Sequence, residues 1–454
     1  MRLIFKTHLL KTHLSGIFLI LSCLLWATMV RAELVIEVTR GNDQLLSLAV
    51  APFAWQGSRV LPEDPAAIVD NDLKLSGLFK AVPRASMLSY PTGESEVYYR
   101  DWKALGASYL VTGQVSFNDD AYTINYQLYD IIRGTRIAKG GFTGKQNQLR
   151  EIAHRVSDAV YEKITGLPGD FSSRILYVTA QRYDADRTEY QLNYADADGK
   201  RSRTIFTSSE PIMSPSWSPD GSRVTYVSFE RQRPEIYLQE LSTGTRRKLT
   251  GFKGLNSSPV WSPDGKSIAM VLSKDGNPDV YILDLATRKI SNVTNHYAID
   301  TEPDWMPDGR SLIFTSNRGG SPQIYQQDVT RKSGGEFIPQ GNPRRLTFEG
   351  RFNARAKVFP DGKSLALVHK GRGSADYNIA ILDLDTDRLR LLSSSKLEDS
   401  PSVAPGGRRL IYSSQGGKNG ELGIVSADGR VKQRLPSAQG DVREPAWGPG
   451  VRLK

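Results

Sequence analysis

Residues 214–228 read SPSWSPDGSRVTYVS, and residues 258–272 read SPVWSPDGKSIAMVL, almost the same line 44 residues later. The element Trp-x-Pro-Asp-Gly returns in full or worn form around Trp217, Trp261, Trp305, Val358, Val403 and Trp447, at spacings of 44, 44, 53, 45 and 44. A period in the forties built from short strands specifies propeller blades rather than paired helices. Each unit runs a short strand into Ser-Pro-Asp-Gly, where Pro presets the first turn angle, Asp accepts backbone bonds and Gly supplies a positive φ. An alternating strand follows (RVTYVSF, SIAMVLS, SLIFTSN), then one such as EIYLQEL or DVYILDL, then a basic and apolar strand such as TRRKLT. That is four strands per unit.

The ends of the array set the blade count. Residues 174–209 supply a second, third and fourth strand with no first strand before them, while residues 444–450, EPAWGPG, are a first strand with nothing after it. Joined, they complete one blade, so the expected fold is a six-bladed β-propeller closed by its C-terminal strand, which leaves no open sheet edge at the seam. The 53-residue spacing marks an insertion, RKSGGEFIPQGNPRR, whose Gly and Pro content suggests a mobile loop.

Ahead of the ring the repeat vanishes. Residues 45–55, LLSLAVAPFAW, read as one buried strand, and residues 64–80 read as a helix with Asp64 as N-cap and Pro65 just inside it. Residues 107–131 read as two strands about a turn at Asn118, Asp119 and Asp120. Residues 148–166 read as an amphipathic helix with Ile152, Val156, Ala159, Val160 and Ile164 on one face and Gly166 as its stop. The expected organisation is a leader at 1–32, an α/β N-terminal domain at 33–166 beginning with an arm, a linker at 167–173 and the propeller at 174–454.

The leader has early positive charges (Arg2, Lys6, Lys11), an apolar run at 17–26 and a small-residue site ending at Ala32, so cleavage is expected between Ala32 and Glu33. The apolar run is shorter than the roughly 20 residues of a membrane span, and nothing later in the chain is long or apolar enough for one. The only cysteine, Cys23, lies in the leader, which removes disulfides and thiol chemistry from the exported chain. The leader also holds four of the 59 basic residues and none of the 49 acidic ones. The remaining 55 against 49 give +6, an ordinary balance that argues against a nucleic-acid partner. A soluble periplasmic protein is expected.

Catalytic patterns are sparse. After the leader the histidines are His154, His296 and His369, far apart in sequence, with His154 expected as a satisfied surface or boundary residue. There is no Gly-x-Ser-x-Gly elbow. The acidic stretch DLDTDR (383–388) lacks the glycine and distal glutamate of a calcium loop, YADADGK (194–200) lacks the distal glutamate, and solvated turns are the simpler reading of both. No cofactor, metal or catalytic residue is expected.

What remains is a surface. The loops entering the first strands of the blades converge on one mouth of the channel, and they carry Met213, Ser214, Asn256, Thr301, Glu302, Arg355, Glu398, Asp399, Arg443 and Glu444. Mixed charge on a concave platform suits a protein partner chosen by electrostatic fit. A second reading, a propeller enzyme or small-ligand sensor, stays open and lacks a nucleophile, base or metal set. The segment after the leader, ELVIEVTRGND, alternates with Leu34, Ile36 and Val38 on one side, so it can lie on its own domain or add to another protein's sheet.

The leader, ELVIEVTRGND, the small α/β domain, and the blade starts IMSPSW and DTEPDW together make the chain resemble the TolB family of the periplasmic Tol–Pal cell-envelope system. That resemblance implies a non-enzymatic adaptor supporting outer-membrane invagination at cell division and envelope integrity. It implies that the propeller mouth binds the peptidoglycan-associated lipoprotein Pal, and that an arm of Glu33, Leu34, Val35, Ile36, Glu37, Val38, Thr39, Gly41 and Asp43 binds the C-terminal domain of TolA. Within the arm, Glu33, Ile36, Gly41 and Asp43 match the family, whereas Thr39 stands where an acidic residue is common. Leu255 occupies a mouth position where relatives carry histidine.

Overall fold

The structure is a computed structural model that describes residues 45–58, 60–184, 187–393, 397–415, 420–435 and 440–451. The leader with its cleavage site at Ala32 and Glu33, and the arm from Glu33 to Asp43, lie outside the described residues. The N-terminal domain is a mixed sheet of β1 (Leu46–Val50), β2 (Ala54–Trp55), β3 (Phe79–Ala81), β4 (Tyr109–Asn118), β5 (Ala121–Asp130) and β6 (Thr135–Lys145). Its main path runs β3-β1-β4-β5-β6, with β2 pairing β4. Helices α1 (Pro65–Leu75), α2 (Tyr99–Ala104) and α3 (Leu149–Thr165) complete it. The single strand expected at 45–55 is two short ones, because Pro52 has no N–H for the ladder between them.

Asp64 caps α1 as expected, accepting from the N–H groups of Ala66 (2.9 Å) and Ala67 (3.1 Å). The helix stops at Leu75 rather than continuing to residue 80. Gly77 turns left-handed there (φ 71°), and Phe79 enters the sheet core instead. Helix α3 ends on Gly166, also left-handed (φ 72°). Its apolar face, with Ile152, Val156, Val160 and Ile164, packs on the sheet and on α1; Ala159 is only partly covered.

The other residues form six four-stranded antiparallel blades. The blades are numbered here from the one at Ile212–Trp217, so the split blade is the sixth. Its strand order is Asp441–Gly450, Ser173–Arg182, Thr188–Asp196 and Arg203–Ser208, so the C-terminal strand does close the ring. Trp447 is buried at the seam. Its ring N–H donates to the hydroxyl of Ser173 (2.7 Å), its backbone N–H to that of Ser402 in blade 5 (2.8 Å), and Arg409 lies over its ring. The insertion expected as a mobile loop is ordered. It lengthens the outer hairpin of blade 3 (Gln323–Arg331 and Phe337–Arg345), which reaches over blade 2 through Arg331 to Asp284 and through the Phe337 N–H to the Ser291 hydroxyl (2.9 Å). Covering a neighbour's short outer strand is enough to fix it.

The segment read as a linker is packed. Asp170 is buried in an ion pair with Arg409 of blade 5, and Phe171 sits in the domain core, under Arg409. Strand direction puts this junction on the propeller face opposite the mouth, since the closing strand runs from the mouth at Asp441 to Val451, whose carbonyl takes a bond from Arg155 of α3.

His154 overturns the surface reading made from sequence. It is 2% exposed, pairs through Nδ1 with Asp72 of α1 (2.7 Å), and faces Asp196 of blade 6 at 3.8 Å. The stretch YADADGK is no solvated turn either. Asp196 and Asp198 are buried and bind Arg150 of α3, while Ser157 donates to Asp72 (2.6 Å). A helix face that looks polar in sequence is thus the domain junction, where paired charges replace water. Burial disfavours the charged imidazole, but Asp72 and Asp196 outweigh it and hold His154 up at about 10. Burial pushes Asp158 up to about 6, against hydrogen bonds from Ser172 and from the Phe171 backbone N–H that favour its charge.

Two outcomes follow from this packing. Trp447→Ala should lower unfolding stability in urea by about 3–5 kcal/mol, the usual loss for a buried tryptophan, while Trp447→Phe should lose less; a stability unchanged by Trp447→Ala would contradict closure at this seam. Because the folded pKa of His154 lies above its unfolded value, its contribution is complete below about pH 6.5 and is lost as pH rises through about 10. The imidazole should therefore stay charged from pH 5 to 8 by NMR, and His154→Gln should flatten the alkaline fall of the urea midpoint; an imidazole titrating near 6.5 would contradict the paired state.

Candidate functional site

Every first strand breaks its pairing at the same level. The register shifts after Met213, Ser257, Thr301, Ala354, Asp399 and Arg443. The next residue in each, Ser214, Ser258, Glu302, Arg355, Ser400 or Glu444, takes a left-handed φ of 50–54°. Proline follows in five blades and Ala356 in the fourth. A left-handed non-glycine residue costs about 1–3 kcal/mol, and this ring holds six. The bulge turns each of these residues into the channel, where they line a cavity of about 290 Å³.

The ring is bound to itself. Glu302 pairs with Arg355 Nε (3.2 Å) and accepts from the Arg355 backbone N–H and the Thr315 hydroxyl, both at 2.9 Å. Arg355 also meets Asp399 (3.2 Å) and donates to the Ser400 hydroxyl (2.7 Å). Across the seam Glu444 accepts from the Ser214 N–H. Burial works against the charge of Arg355, but Asp399, Glu302 and Glu444 outweigh it and raise its pKa. Burial raises that of Glu444, only partly offset by Arg355. Glu302 and Arg355 therefore sit in the channel wall, not on free loop ends as the sequence suggested.

Other expected mouth residues divide. Met213 is exposed, and Leu255 and Thr301 are half-covered. Arg443 pairs with Asp441 beside it. Asn256 and Glu398 are buried (0% and 1%), correcting their reading as surface donors. Asn256 ties down its incoming loop through the N–H (3.1 Å) and carbonyl (2.8 Å) of Phe252, and Glu398 takes the N–H of Ile379 (3.3 Å). Strand alternation explains the inversion: a polar residue at the strand start turns inward to hold the loop, and the residue before it turns out. Those outward residues are apolar. Ile299 (48%) and Leu397 are exposed, and the loops add Phe252, Tyr297 (85%) and Phe348 (63%). The sequence reading missed this apolar rim; its signal was an aromatic or aliphatic residue a few positions ahead of the first strands of blades 2 to 5.

Metal chemistry finds no open ligand set among the described residues. The one cluster with suitable spacing, Asp72, His154 and Asp198, is the domain junction already described. There Arg150 and Ser157 occupy the carboxylates, and a charged imidazole cannot ligate.

The comparisons agree with this geometry. A family model described as the TolB beta propeller domain matches residues 161–451, and one described as the TolB amino-terminal domain matches residues 34–137. The chain is 50% identical over 412 residues to the Tol-Pal system protein TolB of Pseudomonas aeruginosa, covering 91% of this chain and 93% of that one. It is 48% identical over 431 residues to its counterpart in Pseudomonas syringae pv. tomato, covering 95% and 98%. The crystal structure of TolB from Acinetobacter baumannii superposes with a TM-score of 0.79 at 43% identity, covering 90% of this chain and 97% of that one. The chain belongs to the TolB family, the periplasmic, non-enzymatic adaptors of the Tol–Pal system.

Proposed function

We propose that the protein binds Pal at the propeller mouth and the TolA C-terminal domain through the arm at residues 33–43, and so links the Tol machinery to the peptidoglycan layer during outer-membrane invagination. On this reading the functional units are the arm and α/β domain to residue 166, a packed connection at 167–173 and the propeller from 174.

The observation that carries the Pal assignment is the mouth itself, an exposed apolar rim around a charged channel. A desolvated apolar anchor set beside fixed polar groups is the pattern of an interface hot spot. Glu302, Arg355 and Asp399 are already paired with one another, so they offer a partner directed acceptors and donors without a loose charge to order first. The arm assignment rests on family resemblance and on its alternating sequence, which suits strand addition to a partner sheet.

Calorimetry with purified Pal is the test. Tyr297→Ala should cost about 2 kcal/mol or more, roughly a thirty-fold weaker Kd, with the melting temperature unchanged. Deleting residues 33–43 should abolish binding of the TolA domain and leave Pal binding intact. Wild-type Pal affinity in Tyr297→Ala and Phe348→Ala would move the Pal site off this face.

A further inference from the structure

On the face opposite the mouth a second cavity, of about 270 Å³, opens where the N-terminal domain meets blade 6. Four cations line it: Lys145 from the end of β6, and Arg174, Arg201 and Arg203 from the blade. Two carboxylates share it, Glu151 and Asp196, and both are already committed. Asp196 accepts from Arg201 (Nε at 2.8 Å, Nη2 at 2.9 Å) and from Arg150 (3.0 Å). Glu151 pairs with Arg201 at 2.9 Å and reaches Arg174 only at 3.5 Å.

That leaves positive charge without a partner. Among the described residues Lys145 and Arg203 make no ion pair, and both are exposed at the cavity. Arg174 has its Nε buried without an acceptor while its guanidinium lies over the Tyr194 ring (5.3 Å). The lining charge is four positive against two negative. Concave walls of one net sign concentrate a counter-ion, and guanidinium forks match tetrahedral oxyanions in geometry as well as charge. The size suits one compact anionic group, free or presented by a larger molecule outside the cavity.

We propose that this cavity binds a multiply charged oxyanion of the phosphate class, held by Lys145 from one domain and by Arg203 and Arg174 from the other. Such an anion bridges the junction, so its binding stabilises the docked pair of domains by linkage. Either free phosphate or a phospholipid headgroup carries this chemistry.

The experiment titrates the whole protein with inorganic phosphate, against acetate at matched ionic strength, by calorimetry and by melting temperature. Saturable one-to-one binding of phosphate and a rise in melting temperature are expected, with no such response to acetate. Lys145→Gln and Arg203→Gln should each weaken phosphate binding about ten-fold, the usual effect of one charge-assisted bond. The double variant should lose the phosphate response while keeping its phosphate-free melting temperature. Sedimentation with phosphatidylglycerol vesicles, lost in the double variant, would assign the headgroup; saturable phosphate binding without sedimentation assigns the free anion. Equal responses of the wild type to phosphate and acetate, or full phosphate affinity in the double variant, would overturn the site.

Discussion

Blade 6 is written in two pieces, and the pairing of Asp441–Gly450 with Ser173–Arg182 is where the molecule is held together. Strands from opposite ends of the ring meet there, so every blade-to-blade contact depends on it. The inner strand of that pair carries Glu444 at the mouth and Trp447 at the seam. Its partner strand begins directly after the packed segment that follows α3. One ladder therefore closes the ring, completes the channel wall and fixes the N-terminal domain to the propeller. Closure by so distant a pairing makes stability a property of the whole ring rather than of single blades.

The two faces of the disc use charge differently. At the mouth, Glu302, Arg355 and Asp399 are half-covered, and Glu302 and Arg355 line the channel, where their pairing holds charged groups in fixed orientation at an open surface. At the junction, Arg150, His154, Asp72, Asp196 and Asp198 are buried, and their pairing substitutes for water between two domains. Removing one member of the buried set strands the others, so the junction is intolerant where the mouth is permissive. The strained ring of six left-handed residues belongs to the first kind. Closure of the ring over-determines their conformation, which lets the strain persist at the surface proposed above for Pal.

Much of this was legible in the chain. The 44-residue period and the split of one repeat between the two ends specified six blades, because turn chemistry and strand alternation are local and repeat faithfully. The N-cap at Asp64 and the stop at Gly166 were legible for the same reason. What escaped depends on which neighbour covers a residue. Asn256 and Glu398 look like surface donors until strand direction turns them inward, and Phe252, Tyr297 and Phe348 look incidental until the loops are seen side by side. His154 has a helical neighbourhood that names its own domain's core but not the carboxylates brought up from blade 6. The left-handed residues sit mostly before proline, a position where sequence statistics argue for extended backbone.

Amide hydrogen exchange of the whole protein, with and without saturating Pal, tests most directly whether the mouth is the docking face. The apolar rim predicts new protection concentrated in residues 251–256, 295–300 and 347–352, with the outer strands and the face carrying the N-terminal domain showing smaller changes. Protection confined to the N-terminal domain or to the outer strands, with those three loops exchanging as in the free protein, would contradict it.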